Sequence, residues 1–170
     1  MKLFAGKRKW IIIGGAAAAA VIALVVILLL NHSTDIPTYG LKGYMGTDQI
    51  QEIMESKGFE CRKADNVLWF SGEANLLDEQ PSMIAYMPGL EFIFCGEEYP
   101  QSDFAYALYT RDEVRKIYDR VYKEAVRKLG EPDERLENEI RWIKDNRSYA
   151  LFNSIDETGA FRFWVSLEWD

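Results

Sequence analysis

Paired carboxylates are plentiful in this chain, and three pairs in predicted loops are considered first as residues that could do chemistry. They are Glu97-Glu98, Asp133-Glu134 and Asp156-Glu157. Two carboxylates at a fixed separation beside a sugar-binding cleft could hydrolyse a glycosidic bond. All three pairs fall in predicted loops of an acid-rich chain, so we expect solvated loop charge rather than catalysis. The stretch DETG at 156–159 offers fewer ligands than calcium requires.

Other catalytic arrangements lack their residues. His32 is the only histidine, so a Ser-His or Cys-His nucleophile has no other imidazole to use as a base. The phosphate-binding patterns G-x-x-x-x-G-K-[ST] and G-x-G-x-x-G do not occur. We therefore expect no enzyme activity, no catalytic residue and no cofactor.

Cys61 and Cys95 are the only cysteines, and two interpretations of them stay open. In an exported domain they could pair into one disulfide. They could equally be free thiols that are buried as small apolar side chains. No C-x-x-C pair or histidine-rich ligand set accompanies them, so we expect no metal site.

The closing segment FRFWVSLEW at 161–169 alternates apolar and polar side chains, as a strand with one buried face does. Its odd-numbered residues, including Trp169, are assigned to the core. Trp164 then lies on the face that meets water. A tryptophan beside an arginine is typical of protein-interface hot spots. The alternative is that Trp164 covers its neighbours, packs with Arg162 and only adds stability.

We place a partner-binding surface on this face, because a sheet with helices on one side exposes its other side. Tyr149 could take the place of Phe152 there, depending on the phase of its strand. In the first half of the domain, Phe70, Tyr86 and Tyr109 are expected on the same face. The predicted binding residues are Arg141, Phe152, Arg162, Trp164 and Glu168.

Residues 10–30, WIIIGGAAAAAVIALVVILLL, carry no charge and are long enough to cross the roughly 30 Å hydrocarbon core as a helix. Four basic residues precede them in the tail 1–9, which predicts a cytoplasmic N-terminus and an extracytoplasmic remainder. The apolar run is longer than that of a signal peptide, and no A-x-A site follows it. We predict an uncleaved single-pass signal anchor, with cleavage near Ser33 as the alternative.

The chain beyond the basic tail is strongly acidic. It carries 16 Lys and Arg against 27 Asp and Glu, a net charge of −11. Such acidity argues against binding nucleic acid or anionic lipid headgroups. The expected partners are the lipid bilayer, through residues 10–30, and a protein of unknown identity.

An α+β domain is predicted over residues 47–170, after a linker at 31–46 that combines Pro, Gly, Ser and Asn without periodicity. A short helix is expected from a cap at Thr47. A longer helix is expected after the T-x-x-E capping box of Thr110 and Glu113, and both helices should pack on one face of the sheet. The predicted strands are 66–72, 82–87, 90–95, 104–110, 139–145, 148–154 and 161–169.

The domain divides into two related halves, about 47–109 and 110–170, each a helix, a strand and a β-hairpin. The match pairs SKGFEC…VLWFSG with RKLGEP…IRWIKD, and SMIAYMPGLEFIF with SYALFN…GAFRFWV. This order, with a helix running into LGEP at 129–132, resembles the fold of the β-lactamase inhibitor protein and of the small outer-membrane assembly lipoproteins. The resemblance implies an exported protein-binding module. The chain lacks the lipoproteins' lipidated cysteine, and no functional motif carries residue roles across.

Together these patterns predict a single-pass, membrane-anchored, extracytoplasmic protein-binding module that is not an enzyme and acts through the open sheet face. Two other functions stay open at this point. One is an envelope enzyme that acts on polysaccharide through paired carboxylates, and the other is a structural subunit of a membrane complex.

Overall fold

The computed structural model describes residues 36–169. The predicted cytoplasmic tail at 1–9, the predicted anchor at 10–30 and the first residues of the predicted linker lie outside the described residues. Among the helices that are described, none is both long and apolar enough to cross a membrane.

Three helices and eight strands make up the described chain. Helix α1 spans Thr47–Ser56, α2 spans Arg111–Leu129 and the short α3 spans Ile155–Thr158, and a 3-10 turn lies at Ser102–Phe104. The strands are β1 Glu60–Ala64, β2 Val67–Ser71, β3 Met83–Met87, β4 Gly89–Cys95, β5 Glu134–Arg135, β6 Glu139–Lys144, β7 Arg147–Ser154 and β8 Ala160–Val165. The predicted α+β class is confirmed.

All eight strands form one antiparallel sheet in the order β1-β2-β3-β4-β8-β7-β6-β5. Each half of the domain therefore contributes one long helix followed by four strands, and the last strands of the two halves, β4 and β8, pair at the centre. The sequence did not predict β1 or β5, because β1 is polar and β5 is only two residues long. Neither strand presents the apolar alternation on which a strand prediction depends.

The core lies between the two long helices and one face of the sheet, here called the helix face. From α1 it receives Ile50 and Met54, and from α2 it receives an apolar stripe at helical spacing. The sheet supplies alternate residues of its central strands. The buried stripe of α2 is Val114, Ile117, Val121 and Ala125, and the central strands contribute Leu90, Phe92, Phe94, Phe161, Phe163 and Val165.

Local capping explains where α2 begins and ends. The Thr110 side chain accepts a hydrogen bond from the Glu113 backbone N–H, while the Glu113 carboxylate accepts one from the Thr110 backbone N–H at 2.8 Å. The helix stops at Gly130, whose φ of +88° suits glycine. The predicted capping box of α2 is thus confirmed. For α1 the cap is Gly46 rather than Thr47, and its N–H is bound by the side chain of Gln49.

The opposite face of the sheet is covered over the first half of the domain by part of the described chain. There the irregular segment 96–109 packs Tyr99 and Ala105 against a small cluster that includes Met83 and Ile93. The predicted strand at 104–110 is wrong. In this segment the Tyr106 N–H donates to the Ser82 carbonyl and the Tyr109 N–H donates to the Cys95 carbonyl. These isolated hydrogen bonds do not pair the segment with any of the described strands. Within residues 36–169, no segment covers the second half of this face, which is called the open face below.

The part of the predicted linker that is described, residues 36–46, packs onto the domain. Leu41 is buried, and the Tyr39 ring meets the edge of Phe59 with centroids 5.3 Å apart. The Gly43 N–H donates to the Glu168 carbonyl at 2.6 Å. The closing segment of the chain contacts the linker at Gly43. Strand β8 ends at Val165, and the indole of Trp169 lies against Gly43. Trp169 was predicted in the core, but it is 73% exposed. Trp169 leaves the core because the strand ladder stops four residues before it.

Candidate binding groove on the open face

A groove of about 630 Å³ lies across the open face, over β4, β8, β7 and β6. Its central row is set by strand register. Arg141 pairs with Ala150, Ala150 pairs with Trp164, and Trp164 pairs with Glu91, so these four side chains project to the same side in adjacent strands. Four of the five predicted binding residues line this groove, namely Arg141, Phe152, Arg162 and Trp164.

Ala150 makes the face concave at its middle. It lies between two long side chains, Arg141 and Trp164, and its own side chain ends at Cβ. Ala150 is buried but belongs to neither apolar cluster of the domain, because it forms the floor of the groove. A small residue flanked by large ones leaves room for an incoming side chain, which is the arrangement that ligand-binding clefts use.

Trp164 is half-buried, and it both lines the groove and packs on the sheet. Its indole lies over Gly89 of the neighbouring strand, since a Cβ built at Gly89 would fall 2.4 Å from the indole Nε1. A large aromatic ring that covers a glycine in the next strand stabilises a sheet. Both interpretations of Trp164 given above therefore have a structural basis. The residue that Trp164 covers is Gly89 and not Arg162, because the Arg162 guanidinium lies over the ring of Phe152.

Arg162 connects a buried acid to an aromatic ring on the groove floor. Its Nη1 donates to Oε1 of Glu91 at 3.2 Å, and its guanidinium carbon lies 5.1 Å from the centre of the Phe152 ring. Glu91 is only 4% exposed. Burial raises the pKa of Glu91 above its usual range, and the attraction of Arg162 partly offsets that rise. The arginine is thus held by a charge below it and a ring beside it.

Sequence reasoning missed Glu91. The signal in the sequence was a single acid within the otherwise apolar segment LEFIFC at 90–95. In the structure this segment is β4, at the centre of the sheet. A carboxylate in such a strand requires a partner. The strand phase of Phe152, which was left open, is settled: Phe152 lines the groove and Tyr149 packs against Phe163 on the helix face.

The rim of the groove on the β5–β6 side is a cluster of charges around Arg141. Its Nη1 lies 3.1 Å from Glu134 Oε2, and its Nη2 lies 3.0 Å from Glu139 Oε2. Asp133 completes the rim, and its Oδ2 accepts the Ile143 backbone N–H at 2.7 Å. Two carboxylates therefore share one guanidinium, which leaves this rim with an excess of negative charge.

The structure separates Glu168 from the other four predicted binding residues. It lies beyond the end of β8 and does not line the groove. Its Oε2 accepts from Lys42 Nζ at 2.7 Å, and its Oε1 accepts from Arg147. These two cations, Lys42 first, hold the pKa of Glu168 below its usual range. Glu168 joins the linker to the start of β7.

The three aromatic residues expected on the same face in the first half lie on the helix face instead. Phe70 is fully buried in the main core, and Tyr86 and Tyr109 pack against that core. Tyr109 also donates its hydroxyl hydrogen to the Gln80 carbonyl at 2.6 Å. The phase of β2 is the reason, because Trp69 and not Phe70 points to the other side.

The two cysteines do not form a disulfide. Both thiols are free, and Cys61 lies on β1 while Cys95 lies on β4, with two strands between them. Three strand spacings amount to about 14 Å, which is about twice the reach of a disulfide. The side chains also point to opposite faces, and burial raises the pKa of both thiols. The interpretation as two free thiols fits this geometry.

Two of the carboxylate pairs considered for catalysis, Glu97-Glu98 and Asp156-Glu157, lie near each other, since Glu98 packs against Gly159, and both are away from the third pair. Glu98 binds Arg111 at 2.5 Å and Asp156 binds Arg115 at 2.7 Å, whereas Asp133 and Glu134 lie on the groove rim. Within residues 36–169, no group of three or more His, Cys, Asp or Glu side chains is arranged to hold a metal ion.

Comparison of the chain with protein-family models, with curated proteins and with solved structures finds no match in any of the three. The groove itself is therefore the basis for assigning a function.

Proposed function

We propose that this chain is a membrane-anchored, non-enzymatic protein-binding module, and that its partner binds in the groove on the open face. The observation that carries the proposal is the groove itself, which has a volume of about 630 Å³ and a floor formed by Ala150 beside the half-buried Trp164. It lies on the half of the face that no segment of the described chain covers.

The residue types of the groove support a protein as the partner. Tryptophan and arginine are enriched at the centres of protein interfaces, where a ring of polar residues surrounds them. Here Trp164 and Phe152 lie towards the centre, and charged side chains form the rim. Ile143 adds an exposed apolar side chain at the edge, with 70% of its surface accessible.

Binding is a better use of the rim carboxylates than catalysis. Glycoside hydrolysis requires two carboxyl groups that face each other across the scissile bond. Glu134 and Glu139 instead hold the same guanidinium of Arg141. Because both carboxylates bind Arg141, neither faces the other across a cleft, and this arrangement supports binding of a partner rather than hydrolysis.

The proposed location follows from the sequence of the N-terminal segment. In this proposal residues 10–30 cross the bilayer once, the tail 1–9 is cytoplasmic and the domain is extracytoplasmic. Protease treatment of intact cells tests this arrangement, since an extracytoplasmic domain is digested while the tail is protected. Digestion only after the cells are opened would contradict it.

Site-specific photo-crosslinking tests the groove. The full-length chain is expressed in its own cells with a photoreactive amino acid in place of Ser148 on the groove floor, or in place of Lys63 on β1 as the position control. Ala150→Leu then fills the groove without removing any contact. Ala64→Leu makes the same change at the far edge of the sheet.

The proposal expects a discrete crosslinked protein from position 148 but not from position 63. Ala150→Leu should reduce that product at least tenfold, and Ala64→Leu should leave it unchanged, with thermal unfolding confirming that both variants fold. A product that persists after Ala150→Leu, or that forms equally from both positions, contradicts the proposal.

A further inference from the structure

We infer that the groove receives a cationic side chain, a lysine or an arginine flanked by apolar residues, from the partner protein. The inference rests on the proposed function and specifies the chemistry of the partner. It follows from the balance of charge in the groove and from which groups there are already engaged.

The groove is lined by more acids than bases. Four carboxylates (Glu91, Asp133, Glu134 and Glu139) stand against two guanidiniums (Arg141 and Arg162). Glu91 and Arg162 neutralise each other at 3.2 Å. The excess negative charge therefore lies on the rim, where Asp133 and Glu134 are both exposed to solvent.

The two arginines are poor receptors for an acidic partner. Arg141 is shared by Glu134 and Glu139, and Arg162 is held between Glu91 and the ring of Phe152. A carboxylate of a partner would displace an existing one or lie beside it, and like charges at such distances repel. The rim thus disfavours an anion and favours a cation.

Trp164 gives a cation a second contact. An indole face attracts lysine and arginine more strongly than other aromatic rings do. The ring of Phe152 already carries Arg162, whereas Trp164 has its indole edge over Gly89 and lines the groove beside Ala150. A cation above Ala150 would lie between the Trp164 ring and the rim carboxylates.

The charge of the whole domain acts in the same direction. Residues 36–169 contain 16 Lys and Arg against 25 Asp and Glu, a net charge of −9. Such a field speeds the approach of a positively charged partner and slows that of a negatively charged one. Long-range attraction and the local chemistry of the rim agree.

Three capped peptides test the inference on the full-length chain in lipid nanodiscs. They share the sequence Gly-Leu-X-Leu-Gly, where X is arginine, its neutral isostere citrulline, or glutamate. Binding is followed by NMR through the indole N–H signal of Trp164, which is assigned by its loss in Trp164→Phe. The arginine peptide should shift this signal at a concentration several-fold lower than the citrulline peptide, and the glutamate peptide should not shift it.

Two adjacent substitutions should act in opposite directions. Glu134→Gln removes a rim carboxylate and should weaken the arginine peptide roughly two- to five-fold, the effect of an exposed charge pair. Arg141→Gln removes the competing cation and should strengthen binding by a similar factor. Glu60→Gln, which makes the same charge change on β1, is the control and should leave binding unchanged.

Equal binding of the arginine and citrulline peptides, a preference for glutamate, or no shift with any peptide would overturn the inference. These outcomes are distinct from failure of the proposed function. If crosslinking from position 148 is still lost in Ala150→Leu, the groove binds a partner and only its cationic character is wrong. If that crosslinking fails as well, the groove itself is not the binding site.

Discussion

The indole of Trp164 packs directly on the backbone of Gly89 in the neighbouring strand. A Cβ at position 89 would lie 2.4 Å from the indole Nε1 and 2.7 Å from the Val165 carbonyl oxygen. Gly89 also has a φ of +123°, which side-chain-bearing residues rarely adopt. Gly89 lies at the turn between β3 and β4, and it also makes room for the tryptophan.

Gly89→Ala should therefore destabilise the domain by about 2–4 kcal/mol, since it combines backbone strain with overpacking. Trp164→Ala alone should cost about 1–2 kcal/mol, because the ring is only half-buried. In the double variant the indole clash is absent, so the total loss should be smaller than the sum of the two. Urea denaturation of all four chains measures this coupling. Strict additivity would show that the ring and the glycine do not interact.

This packing changes how the role of Trp164 is tested. A binding surface built only from exposed side chains would predict that Trp164→Ala leaves the thermal midpoint unchanged. Because the ring covers Gly89, that variant mixes a loss of stability with a loss of binding. Filling the groove at Ala150 separates the two effects.

The sequence alone was sufficient where periodicity and local capping decide the structure. Phe161, Phe163 and Val165 lie on the helix face as their alternation predicts, and the capping box of Thr110 and Glu113 starts α2. Both signals are local, because each depends on residues within one turn or on one side of a strand.

The sequence was insufficient where tertiary pairing decides. The matched segments VLWFSG and IRWIKD align Trp69 with Trp142, yet Trp69 packs on the side opposite the helices and Trp142 is buried on the helix face. A shift of one residue in a strand moves every side chain to the other face. The same effect placed Phe70 on the wrong side. Glu91 was missed for another reason, because its partner Arg162 is distant in the sequence.

Stability should depend on pH through Glu91. Its pKa is raised by burial, so the folded chain holds the Glu91 proton more tightly than the unfolded chain does. Its contribution is therefore largest below the unfolded pKa of about 4.3, and it falls as pH rises through the higher folded value. Compared with Glu91→Gln, the wild-type chain should lose free energy of unfolding as the pH rises above about 4.3 and through the higher folded pKa.

Urea denaturation of both chains at a series of pH values measures this difference. Glutamine keeps an oxygen that can accept from Arg162, so the variant removes the titration but preserves the shape of the site. A difference between the two chains that stays constant with pH would mean that Glu91 titrates equally in the folded and unfolded states.

Glu168 should show the opposite dependence on pH. Lys42 and Arg147 lower its pKa in the folded state, so its contribution is present above about pH 4.3 and is lost as pH falls through the lower folded value. The advantage of the wild-type chain over Glu168→Gln should therefore shrink as the solution is acidified. Urea denaturation of both chains across this pH range measures it.

The loss of stability in Glu168→Gln should also be local, because Glu168 joins residues 36–46 to the start of β7. Hydrogen exchange at neutral pH should be faster across 36–46 in Glu168→Gln and in Lys42→Gln, with helix α2 unchanged in both. Exchange in the linker that stays at the wild-type rate would show that the packing of Leu41 and Tyr39, rather than the ion pair, holds the linker to the domain.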